Sequence, residues 1–398
     1  MTIYSRRNLL KSAGAFALVS GALETPNLVA ADANEATAYV GTYSVGDGNH
    51  GEGIYLFRVN LQTGELTERK LAAKAPNPTW IAIHPSKKFL YAINEVSDFS
   101  GGNGSVSAFA IGRNGALRPL NTVSSAGAGP AHMSLDATGK FAFVANYVGG
   151  SIAVLPVHAD GALGEAVDVH HDLNMVGPAR PANAPTGNFA ISGHDAPHAH
   201  MIAADPANKF VLSTDLGQDR LYTYALDAGT GKLSQRGILT LLGGPGPRHF
   251  AFHPNGRWLY LILEESSQIV FMNYDASTGS PAIKQIHSAL PAGFEGTSFA
   301  SEIAVSSDGR FVYSANRLHD TISIFAIGDD GDPRFVGEAS TMGDYPRHFA
   351  INSSGNWMFV CNQHSDCITS FRVDRESGKL TFTGKYAGVG SPAVIALF

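Results

Sequence analysis

A phrase that recurs about every fifty residues, a turn glycine that recurs in step with it, and a lone strand at the C-terminus predict an all-β chain. Together they specify a seven-bladed β-propeller of four-stranded antiparallel blades. Each copy of the phrase reads as an alternating apolar stretch, a Pro-Ser-Gly type turn, an aromatic strand and a short polar junction. The first complete copy runs from Trp80 to Asn94, and later copies begin at His132, His200, His249, Glu302 and His348. Alignment places Tyr39, Tyr91, Phe143, Leu212, Tyr260, Tyr313 and Phe359 in one column, at successive spacings of 52, 52, 69, 48, 53 and 46 residues. The glycine ahead of each outermost strand forms a second column: Gly64, Gly115, Gly161, Gly231, Gly279, Gly331 and Gly378. Two independent markers with the same count and step are what seven four-stranded units produce.

The elements follow in chain order. The first unit lacks an innermost strand and opens at Thr37 with its second strand. Complete units follow, and the third is lengthened by a segment from Leu173 to Ala196, rich in Pro, Gly, Ala and Asn. An insertion of that length without a strand pattern is a candidate lid. The last segment, Ser391 to Phe398, is a lone innermost-strand phrase, expected to pair with the first unit and close the ring. Closure removes the two sheet edges that would otherwise stay unpaired.

Ahead of the repeats, Ser5-Arg6-Arg7-Asn8-Leu9-Leu10-Lys11 resembles a twin-arginine export signal. A small-residue apolar stretch follows, and then Val29-Ala30-Ala31 as a cleavage site. Residues 1–31 are therefore expected to be an export signal and residues 32–398 the propeller domain, acting in the periplasm or outside the cell. The 398-residue chain carries a net charge of −6 with no long basic run, which disfavours nucleic acid as a partner. The mature part has no apolar stretch long enough to span a membrane. Oligomeric state is left open, a monomer being compatible with a closed ring. Cys361 and Cys367 flank a hairpin connection, and cross-strand geometry suits disulfides poorly, so two free thiols are expected.

Propeller geometry brings residues that open each innermost strand and residues that close each second strand to one rim of the central channel. The opening column holds Trp80, His132, His200, His249, Glu302 and His348, with Arg248 and Arg347 one residue ahead and His198 two residues before His200. The closing column holds Tyr43, Glu95, Tyr147, Leu216, Glu264, Arg317 and Gln363. A purely structural repeat would place small or apolar residues there. A ring of imidazoles, guanidiniums and carboxylates instead points to a polar small-molecule site. The phrase Asp215-Leu-Gly-Gln-Asp219-Arg220 reads as an Asx-rich structural turn.

Pro197-His-Ala-His200, Gly246-Pro-Arg-His249, Glu264, Asn316-Arg317 and Pro346-Arg-His348 resemble the ordered phrases of the seven-bladed propeller lactonases. That family includes 6-phosphogluconolactonases and carboxymuconate-lactonising enzymes. The resemblance extends over essentially the whole mature chain. It implies Glu264, His200 (or His198), Arg248 and Arg317 as the catalytic set. His198, His132, His249, Glu302, Arg347 and His348 are expected to contact substrate. Leu263 stands where Asn usually precedes the glutamate, which leaves the orientation of Glu264 open. Lactone opening needs an activated water, a stabilised oxyanion and a proton for the ring oxygen, and these groups could supply all three. The arginines among the candidate ligands oppose a cation, so no metal or other cofactor is expected. An exported enzyme would meet an unphosphorylated aldonolactone more readily than a phosphorylated one. The alternatives are a non-catalytic ligand- or protein-binding propeller and a muconate cycloisomerase.

Overall fold

Residues 34–172, 175–179 and 190–398 are described by the computed structural model, and the expected export signal lies outside them. So do 173–174 and 180–189 of the expected lid. The strands form seven four-stranded antiparallel sheets. Blade 1 combines Pro392–Leu397 as its innermost strand with Glu35–Thr42, Gly53–Asn60 and Glu65–Lys74. Tyr39 pairs with Ala396, and Val40 with Ile395, so the two ends of the chain share one sheet as expected. Blades 2 to 7 follow as 80–124, 130–171, 199–240, 247–288, 299–340 and 346–388, each running from innermost to outermost strand. Two short 3-10 turns, Ser100–Gly102 and Arg113–Gly115, complete the regular structure of the described residues.

Apolar side chains are buried between blades rather than within one central core. Seven clusters form, and each is shared by two neighbouring blades: Tyr39 and Ile54 of blade 1 meet Ile81 and Leu90 of blade 2, for example. The alternation of the repeat puts one face of each sheet against the blade before it and the other against the blade after it.

The two sequence columns meet across these interfaces. Tyr39 Oη donates to Gly115 O at 3.0 Å, Tyr91 to Gly161 O at 3.1 Å, Tyr260 to Gly331 O at 2.7 Å and Tyr313 to Gly378 O at 3.0 Å. Each tyrosine thus ties its blade to the turn of the next. The glycine is required for shape as well. Gly378 has φ +72°, and a Cβ there would come within 2.5 Å of Phe311 Cδ1 on the preceding blade.

Cys361 lies opposite Ile368 and Cys367 opposite Asn362, and both thiols are free. Burial pushes the Cys361 thiol well above its usual range, which makes it inert.

Two substitutions test the interblade tie. Tyr313→Phe removes one buried hydrogen bond and should cost about 1 kcal/mol in urea unfolding. Gly378→Ala adds backbone strain and an overlap with Phe311, and should cost about 2 kcal/mol or more. Wild-type stability of Gly378→Ala would mean that this contact does not hold the blades.

Candidate active site

The strand pairing sets which side chains converge. Tyr91 lies opposite Ala82, Phe143 opposite Ser134, Leu212 opposite Ala203 and Tyr260 opposite Ala251. Counting back two residues places Trp80, His132, Met201, His249, Glu302 and His348 in one structural column. His200 therefore belongs one position earlier, with Arg248 and Arg347, which corrects its expected place in the histidine column. A register shift between Ala199 and Met201 leaves His200 unpaired at the start of its strand. A bulge of this kind turns an extra side chain towards the channel.

Glu264 anchors one side of the rim. It follows the Trp258–Leu263 strand, and its Oε2 forms ion pairs with Arg248 Nε at 2.8 Å and Arg317 Nη2 at 2.8 Å. All three residues are buried. Burial raises the Glu264 carboxyl, but Arg317 and Arg248 outweigh it and hold the group below its usual range. Burial and the neighbouring Arg317 lower Arg248 to about 10, so it stays charged at neutral pH. The guanidiniums are further engaged: Arg248 Nη1 donates to Ser301 O, Arg317 Nη2 to Ala300 O at 3.3 Å and Arg317 Nη1 to Tyr345 Oη at 3.3 Å. Leu263 lies in the apolar cluster shared by blades 4 and 5. Its counterparts Asn146, Asn316 and Asn362 brace their own hairpins. The Leu for Asn exchange therefore alters a structural brace, while the arginine pair orients Glu264.

The other side of the rim is built around Glu95. Its Oε2 accepts from Thr79 Oγ1 at 2.6 Å, Tyr43 Oη at 3.0 Å and Arg347 Nη2 at 3.4 Å. Arg347 also lies over the Tyr43 ring, 5.0 Å from its centroid. Blades 7, 1 and 2 meet here.

Below the rim, Trp80 of blade 2 contacts His132 of blade 3, His249 of blade 5 and His348 of blade 7, with ring centroids 4.3, 5.2 and 5.2 Å away. A single indole can reach those three blades only from inside the channel, so Trp80 and the imidazoles plug it. His249 Nδ1 lies 3.2 Å from Glu302 Oε2, and His348 Nε2 lies 3.6 Å from the same oxygen. His132 and His348 also accept backbone N–H bonds from Ile202 and Ile395 of the following blades. These two expected substrate contacts thus also tie blade to blade.

His198 and His200 diverge. His198 stacks on Tyr147 at 4.3 Å, its Nδ1 lies 2.9 Å from Tyr147 O, and its Nε2 lies 2.9 Å from Asp195 Oδ1. His200 is buried against His249 and Tyr147, and its Nδ1 has no hydrogen-bond partner among the described residues. Burial and the nearby Arg248 hold it neutral, far below the usual imidazole range. Neutral and buried in the channel, it has a ring nitrogen to spare.

Sequence reasoning missed a second network beside Glu264. Ser192 Oγ and Gly193 N donate to Glu265 Oε1 at 2.8 and 2.9 Å, and His194 bridges Glu265 and Asp219. The turn containing Asp219 is structural as expected, since Asp219 Oδ1 accepts Gly246 N at 3.0 Å. The doubled Glu264-Glu265 was the available signal. Among the described residues no group of three or more His, Cys, Asp or Glu is placed to hold a metal ion.

Residues 37–397 match the family model described as lactonase, 7-bladed beta-propeller. A 6-phosphogluconolactonase of Bacillus subtilis is 35% identical over 359 residues, covering 90% of this chain and 97% of that one. A 6-phosphogluconolactonase of Pectobacterium carotovorum is 31% identical, covering 84% and 92%. The structure of a periplasmic gluconolactonase of Pseudomonas aeruginosa superimposes with a TM-score of 0.82 at 29% identity, covering 91% of this chain and 99% of that one.

The channel histidines carry a prediction for stability. Burial first, with Arg248 adding to it, lowers His132, His200, His249 and His348, the last to about 4. The unfolded chain takes up these protons near pH 6.5, so their contribution is complete above that pH. It is lost as pH falls towards the folded values. Urea unfolding should show stability falling below pH 6.5, each of these imidazoles contributing up to about 1.4 kcal/mol per pH unit. A flat profile between pH 6.5 and 5.5 would mean that the imidazoles are charged in the folded state.

Proposed function

The chain belongs to the seven-bladed β-propeller lactonase family, whose reaction is lactone hydrolysis, and we propose that it opens an unphosphorylated sugar-derived lactone at the Glu264 rim of its channel. The observation that carries this reading is the buried Arg248–Glu264–Arg317 cluster, with the unpartnered nitrogen of His200 in the same channel. The ionised Glu264 aligns a water by accepting its hydrogen bond. His200 takes the proton as the water oxygen bonds to the lactone carbonyl carbon. Arg248 and Arg317 carry the charge that develops on the carbonyl oxygen. The bond from that carbon to the ring oxygen then breaks, and the proton held by His200 passes to the leaving alkoxide. The product is the open-chain hydroxy acid, with one water consumed.

Two observations favour an uncharged polyol lactone. Arg248, Arg317 and Arg347 are each paired with a carboxylate, which offsets the positive charge that a phosphate dianion would need. Glu264 and Glu95 would both repel a phosphate dianion, whereas Glu95, Tyr43 and Arg347 can bond to sugar hydroxyls. The remaining expected substrate contacts, His132, His198, His249, Glu302 and His348, are assigned to the wall and floor beneath that lactone. Export points the same way: residues 1–31 are assigned as a twin-arginine signal, residues 32–398 as the exported domain, and the periplasm or the cell exterior as its compartment. Neither nucleic acid nor membrane is assigned as a partner.

The test is acid release from gluconolactone and from 6-phosphogluconolactone, corrected for spontaneous opening, by wild type and Glu264→Gln of verified fold. Wild type should prefer the unphosphorylated lactone, with or without chelator, and the variant should lose roughly 10²-fold or more. Preference for the phosphorylated lactone would overturn the substrate assignment. Turnover of a muconate without any lactone opening would replace the reading with the cycloisomerase.

A further inference from the structure

His194 is enclosed by two carboxylates from different blades. Its Nε2 lies 3.0 Å from Asp219 Oδ1, in the turn after Phe210–Asp215. Its Nδ1 lies 3.0 Å from Glu265 Oε2, in the turn after Trp258–Leu263. The side chains of His194, Asp219 and Glu265 are 0%, 2% and 0% exposed. Nε2 hydrogen-bonds Asp219 and Nδ1 faces the Glu265 carboxylate as an ion pair, so two buried carboxylates hold the ring as an imidazolium. Glu265 meanwhile gathers Ser192 and Gly193 and is the residue next to Glu264. His198, which stacks on Tyr147, leaves the same loop four residues later. The near foot of the insertion closes on this point too. Gly177 N donates to Gly217 O at 2.8 Å, and a Cβ on Gly177 would come within 1.8 Å of Asp219 Oδ2.

We propose that His194 is a positioning residue for lactone opening: clamped as an imidazolium between Asp219 and Glu265, it fastens the 190–198 segment to blades 4 and 5 and so sets the Glu264 carboxylate. The role rests on the lactonase reading. Nothing in the hydrolysis itself uses this group, and its burial removes it from substrate. An unpaired charge pair left in such a place would be strongly destabilising, so the clamp engages as a unit.

The charges around it give the clamp a pH window. Burial opposes the charge on His194, but Asp219 and Glu265 outweigh burial and raise the imidazole to about 9. Burial raises Glu265, but its bonds to His194, Gly193 and Ser192 prevail and hold it below the usual carboxylate range. Asp195 of the same loop is engaged with His198. Tyr147 of blade 3 faces this edge, and burial, then Glu264, push its hydroxyl up. The folded value of His194 exceeds the unfolded one, so its contribution is complete below pH 6.5 and is lost as pH rises through about 9.

The experiment compares wild type, His194→Gln and Glu265→Gln on gluconolactone, recording kcat and KM from pH 6 to 10 above the spontaneous rate. The ¹⁵N shifts of the His194 ring are followed over the same range. Wild-type kcat should fall through pH 9 with KM nearly constant, as the ring loses its second proton. Each variant should lose about 10-fold or more in kcat at pH 7 with KM within about twofold, and His194→Gln should lack the alkaline fall. Wild-type kcat and an intact alkaline fall in His194→Gln would overturn the role. If that variant does not fold, Glu265→Gln decides in the same way, and a neutral His194 ring in wild type at pH 7 overturns the clamp without any variant. Wild type that opens no lactone overturns the functional reading and this role with it, whereas an active wild type with indifferent variants overturns this role alone.

Discussion

The pairing of Pro392–Leu397 with Glu35–Thr42 puts both ends of the chain into one blade, and every other blade takes its position from that closure. An open array of seven sheets would expose apolar faces at both ends, because each apolar cluster is shared between neighbours. Once the ring closes, every face has a partner and no blade can turn alone. The tyrosine-to-glycine bonds and the glycine turns that fit against the preceding blade's aromatic residue hold the spacing at which the channel side chains meet.

That spacing concentrates charge where water is scarce. Arg248, Arg317 and Arg347 face Glu264 and Glu95 within the rim, while Glu302 lies among the imidazoles below it. Burial opposes charge on Glu264, Arg248, Arg347 and Glu302, and close pairing keeps the rim carboxylate Glu264 ionised. The same burial keeps the imidazoles neutral. The channel therefore offers fixed donors and acceptors in a low-dielectric space closed from below by Trp80. Such an environment strengthens electrostatic stabilisation of an oxyanion.

The clamp at His194 extends this arrangement to the loop that crosses from blade 3 to blade 4. Blade-to-blade packing orients Arg248 and Arg317, but the 190–198 segment has no strand ladder until Ala199. Two buried ion pairs supply what the ladder does not, and they do so through the residue adjoining Glu264.

The blade count, the closing strand and the two columns were legible because they rest on a local pattern that recurs along the chain: strand alternation, a turn glycine in all seven units and an aromatic residue at the matching position in six of them. The family phrases likewise named Glu264, Arg248 and Arg317, which the structure brings within 2.8 Å contacts. The column of His200 was misplaced by one residue: the spacing of 11 residues kept by the other copies leads back from Leu212 to Met201, and the bulge before it recurs in blades 3, 5 and 7. The His194 clamp was missed because its members stand 25 and 71 residues apart in chain distance, on turns of different blades, and neither the doubled glutamate nor the Asx-rich turn says which histidine it meets. Sequence by itself determined the repeat, the closure and the residue types available at the rim, since these depend on short-range periodicity. Tertiary structure alone decided which imidazole is neutral with a nitrogen to spare, which is a buried cation and which only ties blades together. Protonation follows from burial and from charges brought close by the folded ring.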